Sequence, residues 1–424
     1  MRTPEYTHME HIDAVFFAPQ GTDAVRVRAT LPLSGARKRL RATLYAELLD
    51  RGTKHKTRTE FAAALDSIGA RLAVSADRFG ITIDGAALSA TLPQFLSLVS
   101  EMLREPAFSS REMSRVHRQY LQALHDEADD ARTVAYGAFA RLVYPTTHPC
   151  WKPTVAERRD FLKSVTQKTY RDFHKDLLAG RAVVSVSGTA RAQNAALALF
   201  SSLTKGGKDE TVGNKPPSSF ANASKDGGLS AFTPVPSKTN IETFLGAPLA
   251  LTLTDEQCLP FQFGLAVLGK WGGFSGRLMS QVREKMGLTY GIYARAEGAE
   301  KTRTGAWYIF TFFTPKDFAN GLAATKREIE KIVRAGITHK ELIRFKELLH
   351  NQFILAHESD QKKLALYHDA LCAGLTPAEV AAEYEKIRLL TQKQINAALK
   401  AHLNPHTLAL SAAGPITPNG KPIE

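Results

Sequence analysis

Alternation of apolar and polar residues marks strands along this chain. In "AVRVRATL" Val25, Val27, Ala29 and Leu31 fall on one face with polar or small residues between them, the two-residue period of a half-buried strand. "FGITIDGAAL" and "AWYIFTFF" are further strand candidates. A 3.6-residue apolar spacing predicts helices over residues 37–50, 91–104, 109–127, 316–334, 338–355 and 359–372. Strands come in adjacent pairs as well as between helices, which fits a mainly antiparallel sheet covered by helices better than a doubly wound parallel one. The expected class is α+β.

The pattern occurs twice. "SVTQKTYRDFHKDLLAGRAVVSVSG", ending at Gly188, has the same plan as "LLTQKQINAALKAHLNPHTLALSAAG", ending at Gly414: a TQK helix start, an amphipathic helix, a break, an alternating strand and a glycine. "FSSREMSRVHRQYLQAL" matches "ITHKELIRFKELLHNQF", and "EFAAALDSIGARLAV" matches "LMSQVREKMGLTYGI" around Gly69 and Gly287. Three matches in one order at nearly one offset indicate a duplicated domain. Residues 201–238 between the copies are rich in Gly, Ser, Pro and Lys and read as a linker. The division expected is an N-terminal α+β domain over 1–205, a linker over 206–236 and a C-terminal α+β domain over 237–424.

A length of 424 residues suits two such cores, and 44% hydrophobic with 23% charged residues is the balance of a globular protein. No apolar run approaches the ~20 residues that cross a bilayer, and the N-terminal stretch has no signal-peptide h-region. Cys150, Cys258 and Cys372 are far apart and outline neither a disulfide framework nor a metal knuckle. The net charge of +13 invites a nucleic-acid partner, but the basic residues are interleaved with acids along helices and follow no recognition motif, so solvated helix faces explain most of them.

Several motifs fail on chemistry. Gly264, Gly269 and Lys270 satisfy part of a phosphate-binding loop, yet Trp271 stands where magnesium needs a hydroxyl, and the intervening residues read as a buried helix. His148 and Cys150 are two residues apart in a loop with Trp151, a poor spacing for a nucleophile pair. The thirteen histidines contain no HExxH or HxxEH; His8 and His11 precede the first strand, and His357 and His368 are too far apart for a helical pair.

The stretch "TLYAELLDRGT", residues 43–53, follows the first strands with a lone carboxylate, Glu47, among apolar residues. Its x-x-E-x-L-x-x-G-T plan resembles the zinc helix of the inverzincin peptidases: pitrilysin, insulin-degrading enzyme and the mitochondrial processing peptidase. Their motif reads HxxEH. Laid on residues 44–48, it puts Leu44 and Leu48 at the histidine positions and Glu47 at the base. The third ligand, a glutamate before an acidic turn, corresponds to Ala123 before "DEADDA". The resemblance thus implies a degenerate metal site, with Glu47 a relic solvated or paired with an arginine such as Arg41.

"FSGRLMSQVREKMGLTYGIYA" closely resembles the segment that holds the family's arginine and tyrosine pair, which carries over to Arg283 and Tyr290. Arg283 would end a helix, Gly287 supply the turn and Tyr290 open the next strand. A guanidinium can hold substrate carbonyls, and a phenol can donate to the oxyanion formed when water attacks an amide. "GKWGGFSG" upstream is similar to a shortened glycine-rich loop of non-catalytic subunits. The resemblance therefore implies the non-catalytic subunit of a heterodimeric zinc peptidase. This chain would hold no metal or cofactor; a homologous partner bearing HxxEH would bring zinc and the general base, and Arg283 and Tyr290 would bind peptide substrates and complete the site in trans. Paired bacterial peptidases of this kind suggest a periplasmic location, with no membrane or nucleic-acid partner. The rival expectation is a structural scaffold subunit, and the Arg/Tyr pair argues against it.

Overall fold

The structure, a computed structural model, describes residues 4–9, 11–18, 23–33, 36–207, 229–270, 273 and 275–423. It contains two compact units, each built on a mixed, mainly antiparallel sheet packed by helices.

The first unit has strands β1 (Glu5–Met9), β2 (Ile12–Phe17), β3 (Ala24–Pro32), β4 (Arg71–Ala76), β5 (Gly80–Leu88) and β6 (Ala182–Ser187), in the order β1-β2-β6-β3-β5-β4. Only β2 and β6 pair in parallel. Two strands precede the one expected to come first, and His8 lies within β1, its Nδ1 2.6 Å from the Asp13 carboxylate. Both faces of this sheet are covered. Along β2, Ile12, Ala14 and Phe16 enter one apolar cluster, while Val15 and Phe17 enter another, as the two-residue period of a strand requires. The first cluster is closed by α1 (Ala36–Leu49), α2 (Arg58–Ser67), α3 (Leu92–Arg104), α7 (Gln167–Leu178) and α8 (Ala190–Leu203). In α3, Phe95, Leu96, Val99, Met102 and Leu103 recur at helical spacing and are all buried.

The second unit repeats the plan. Its strands β7 (Ser230–Pro234), β8 (Ile241–Leu249), β9 (Ile292–Glu297), β10 (Gly305–Phe313) and β11 (Ala409–Gly414) run β7-β11-β8-β10-β9. This is the order β2-β6-β3-β5-β4 of the first sheet, again with one parallel pair, β7 with β11. The remaining elements include α4 (Ser110–Ala128), α5 (Ala131–Val143), α6 (Val155–Ser164), α9 (Cys258–Gly269), a π-helical turn (Met279–Lys285), α10 (Phe318–Ala335), α11 (His339–Ala356), α12 (Asp360–Cys372), α13 (Pro377–Leu389) and α14 (Gln392–His402). The TQK starts are equivalent: Thr166 caps α7 and Thr391 caps α14, each with a reciprocal capping box. Gly69 and Gly287 turn the chain with φ +63° and +64°, a left-handed conformation that favours glycine.

The units do not follow contiguous stretches of sequence. Residues 123–155 belong to the second unit and residues 352–382 to the first. The cause is apolar matching. Ala131, Ala135, Phe139 and Val143 of α5 meet Phe244, Tyr308 and Phe310 on one face of the second sheet, while Trp307, Ile309 and Phe313 enter the cluster on the other. Leu364, Tyr367 and Leu371 of α12 meet Val15, Phe17 and Val183 of the first. Burying a large apolar side chain stabilises by roughly 1.5–3 kcal/mol, so each exchanged helix is firmly committed to its sheet. The expected linker over 206–236 ends differently: α8 stops at Leu203, before it, but Ser230–Pro234 form the edge strand β7. A short strand ending in proline is tolerated at an edge. Residues 208–228, the rest of that stretch, lie outside the described residues.

Candidate functional site

α1 carries residues 44–48. Leu44 and Leu48 are 0% and 2% exposed and lie in the apolar core with Tyr45 and Ala46. Residues four apart share a helix face, and the pair that looks outward is Thr43 and Glu47. An imidazole at 44 or 48 would point into the core, so the register with ligands at Leu44 and Leu48 does not meet an open face. One residue earlier, the motif falls on Thr43, Ala46 and Glu47, and Glu47 then stands at the second ligand position rather than at the base. Either register lacks both histidines. Ala123 is an exposed alanine of α4. Among the described residues no group of three or more His, Cys, Asp or Glu side chains is placed to hold a metal ion. Zinc therefore does not fit the donors that the described residues supply at this helix.

Glu47 pairs with Arg51, not Arg41. The Arg51 guanidinium lies 3.4 Å from the Glu47 carboxylate and 3.4 Å from that of Glu112, and donates to Gln119 Oε1 at 3.4 Å. Its Nε donates to the Glu47 carbonyl at 2.5 Å. Glu47 and Arg51 border a cleft of about 750 Å³ that the edge strand β4 also lines. Asp50 lines it too, and burial pushes its carboxyl above the usual carboxylate range against the pull of Arg51.

Arg283 and Tyr290 meet in the second unit. Arg283 sits inside the π-helical turn Met279–Lys285, and Gly287 reverses the chain. Tyr290 stands at the apex of a bend two residues before β9 rather than opening it, and is 84% exposed. Both side chains line one cleft of about 620 Å³ together with Asn240, Glu284, Thr289, Phe312, Thr314 and Asp317. The seven-residue spacing works because the turn doubles the chain back onto its own helix end. Asn240, Thr289 and Asp317 escaped the sequence reading. Asn240 precedes β8 and Asp317 precedes α10, each far from the motif, and Thr289, though within it, resembles an ordinary strand residue.

The rejected motifs resolve as structure. Gly264 and Gly269 lie in α9, which is buried against α14; a Cβ at Gly264 would sit 2.6 Å from Leu399 Cγ. Trp271, Gly272 and Phe274 of the glycine-rich stretch lie outside the described residues. His148 is stacked on Tyr144 at 4.4 Å, its Nδ1 accepting from the Cys150 amide at 3.0 Å and its Nε2 3.1 Å from the Thr304 carbonyl. Both ring nitrogens are committed to backbone and cannot serve the buried Cys150 thiol.

Residues 164–349, which include Arg283 and Tyr290, match the family model described as Peptidase M16 inactive domain. The chain is 22% identical over 371 residues to the "Non-peptidase homolog YmxG" of Helicobacter pylori, covering 87% of this chain and 83% of that protein. It is 25% identical over 313 residues to an "Uncharacterized zinc protease" of Rickettsia felis, covering 73% and 71%. Among solved structures, the peptidase M16 inactive domain from Pseudomonas fluorescens superposes with a TM-score of 0.84 at 20% identity, covering 98% of this chain and 99% of that one. A protease from Helicobacter pylori does so with 0.78 at 16%, covering 97% and 99%. The inactive-domain match thus spans the Arg/Tyr cleft, and the chain shares the fold of the solved M16 inactive domain, so it is similar to proteins of the M16 peptidase family.

Proposed function

We propose that this chain is the non-catalytic subunit of a two-chain peptidase, lending Arg283 and Tyr290 to a site whose metal and general base come from a homologous, HxxEH-bearing partner. The observation that carries the reading is their convergence on one open cleft while the face of α1 that would hold a metal carries Thr43 and Glu47. Arg283 would grip a carbonyl of an extended, unfolded peptide, and the Tyr290 phenol would donate to the oxygen that gains charge as the amide is attacked. The likeness to a protein named a non-peptidase homolog agrees with a chain that cleaves nothing by itself. A periplasmic location belongs to the same reading, by resemblance to paired bacterial peptidases, and cell fractionation tests it.

The test is reconstitution with the HxxEH-bearing homologue from the same genome. The two chains should co-purify, and an internally quenched unstructured peptide should be cut by the mixture and by neither chain alone. Full activity of the partner alone would favour the scaffold reading.

A further inference from the structure

Tyr290 is held in an unusual way. Its ring is exposed, and among the described residues its hydroxyl makes no hydrogen bond within the chain. The phenol's position therefore follows from the backbone on either side. That backbone is clamped by one hydroxyl: Thr289 Oγ1 donates to the Gly291 carbonyl at 3.1 Å and accepts from the Gly291 amide at 3.2 Å. It also accepts from Thr311 Oγ1 of β10 at 3.4 Å. One donor and two acceptor positions are the full capacity of a hydroxyl, and both threonines are buried. On the other side, a Cβ at Gly291 would lie 2.9 Å from the Tyr293 ring and 3.0 Å from its hydroxyl. The bend is thus fixed from the sheet beneath it, and Tyr290 projects from its apex into the cleft.

We infer that Thr289 is a positioning residue for Tyr290, its hydroxyl tying the Tyr290 bend to β10 so that the phenol is presented before substrate arrives. The inference rests on the reading of Tyr290 as an oxyanion donor. A phenol without an anchor of its own gains most from a fixed backbone, since a misplacement of about 1 Å in a reacting group costs on the order of 100-fold in rate. A valine has nearly the same shape as threonine and would fill the site while leaving the Gly291 amide without its partner.

The test uses the reconstituted two-chain enzyme with the quenched peptide. Thr289→Val should lower kcat about 10- to 100-fold with KM little changed, and Thr289→Ser should restore it. In the Tyr290→Phe background the same change should cost nothing further, because a misplaced ring that has lost its hydroxyl has nothing left to misplace. In the chain alone, Thr289→Val should accelerate amide hydrogen exchange at Gly291. Should Thr289→Val not fold, Thr311→Val removes the supporting donor with Thr289 in place and should also lower kcat. Losses from Thr289→Val and Tyr290→Phe that simply multiply, or unchanged exchange at Gly291, would overturn the inference while leaving Tyr290 its role. A neutral Tyr290→Phe would overturn both.

Discussion

Arg51 holds Glu112 across 3.4 Å, and the pairing recurs in the other copy of the duplicated segment. Glu112 and Glu341 occupy the same position in "FSSREMS" and "ITHKELI", and Arg277 grips Glu341 with two bonds of 2.7 Å while donating to the Gly336 carbonyl at 2.8 Å. An arginine tying the start of the long helix to the preceding elements is therefore a feature of the repeat. Arg51 need not be read as a substitute for a lost metal.

Unequal costs follow for the two pairs. Arg277→Met strands a partly buried carboxylate and breaks a bidentate contact, for an expected loss of about 2–4 kcal/mol. Arg51→Met breaks longer contacts and should lose about 1–2 kcal/mol. Glu47→Ala removes a partner that is 60% exposed and should stay within about 0.5 kcal/mol. Urea unfolding of the three variants measures the order, and a loss for Glu47→Ala equal to that of Arg277→Met would contradict it.

Metal binding is the second expectation. With neither register of the α1 motif offering a histidine, the purified chain should carry no stoichiometric zinc after dialysis, and added zinc should not shift its melting temperature. Elemental analysis showing one zinc per chain, lost on changing Thr43 or Glu47, would refute the assignment.

Buried His368 gives a pH signature. Its Nε2 lies 2.8 Å from Thr30 Oγ1 and its Nδ1 2.8 Å from Ser185 Oγ, and burial, helped by the nearby Arg28, pushes its pKa down to about 3. The folded protein keeps this ring neutral, whereas the unfolded chain protonates it below about pH 6.5. Its contribution to stability is therefore whole above that pH and is lost progressively as pH falls toward the folded value. His368→Leu should cost about 2–4 kcal/mol near neutrality by leaving two hydroxyls poorly paired. The deficit should narrow by about 2 kcal/mol between pH 7 and pH 5, since each unit is worth 1.36 kcal/mol. A deficit that is constant over that interval would show that the ring does not titrate as its burial requires.

Local signals carried the fold well. The spacing behind α3, the TQK caps at Thr166 and Thr391, and the glycine turns at Gly69 and Gly287 all act within a few residues of themselves, so the chain states them directly. What escaped depends on distant partners. Ser230–Pro234 becomes a strand only because β11 lies beside it, and residues 123–155 join the second unit because Phe244 and Tyr308 offer α5 an apolar face. The α1 register could not be settled by motif matching either, since Leu44 and Thr43 differ in burial, which no pattern of five residues reveals. The spacing of Arg283 and Tyr290 was legible; the hydroxyl clamp beneath the tyrosine was not, because Thr311 lies on another strand.

The last expectation concerns the pair itself and separates assembly from transition-state stabilisation. Tyr290→Phe deletes one hydroxyl from an exposed ring, so folding and association with the partner should be unchanged. Turnover in the reconstituted enzyme should fall by about 100- to 1000-fold, or about 3–4 kcal/mol, the range for loss of one oxyanion donor. Arg283→Ala removes a charged contact to the peptide backbone and should raise KM as well as lower kcat. The distinction lies in the ground state: a group that binds substrate before reaction shows in KM, and one engaged only as charge develops shows in kcat alone. Steady-state kinetics with a saturating amount of each variant chain resolve the two. Near-normal constants for both variants would mean that the cleft is structural and that this chain serves as a scaffold.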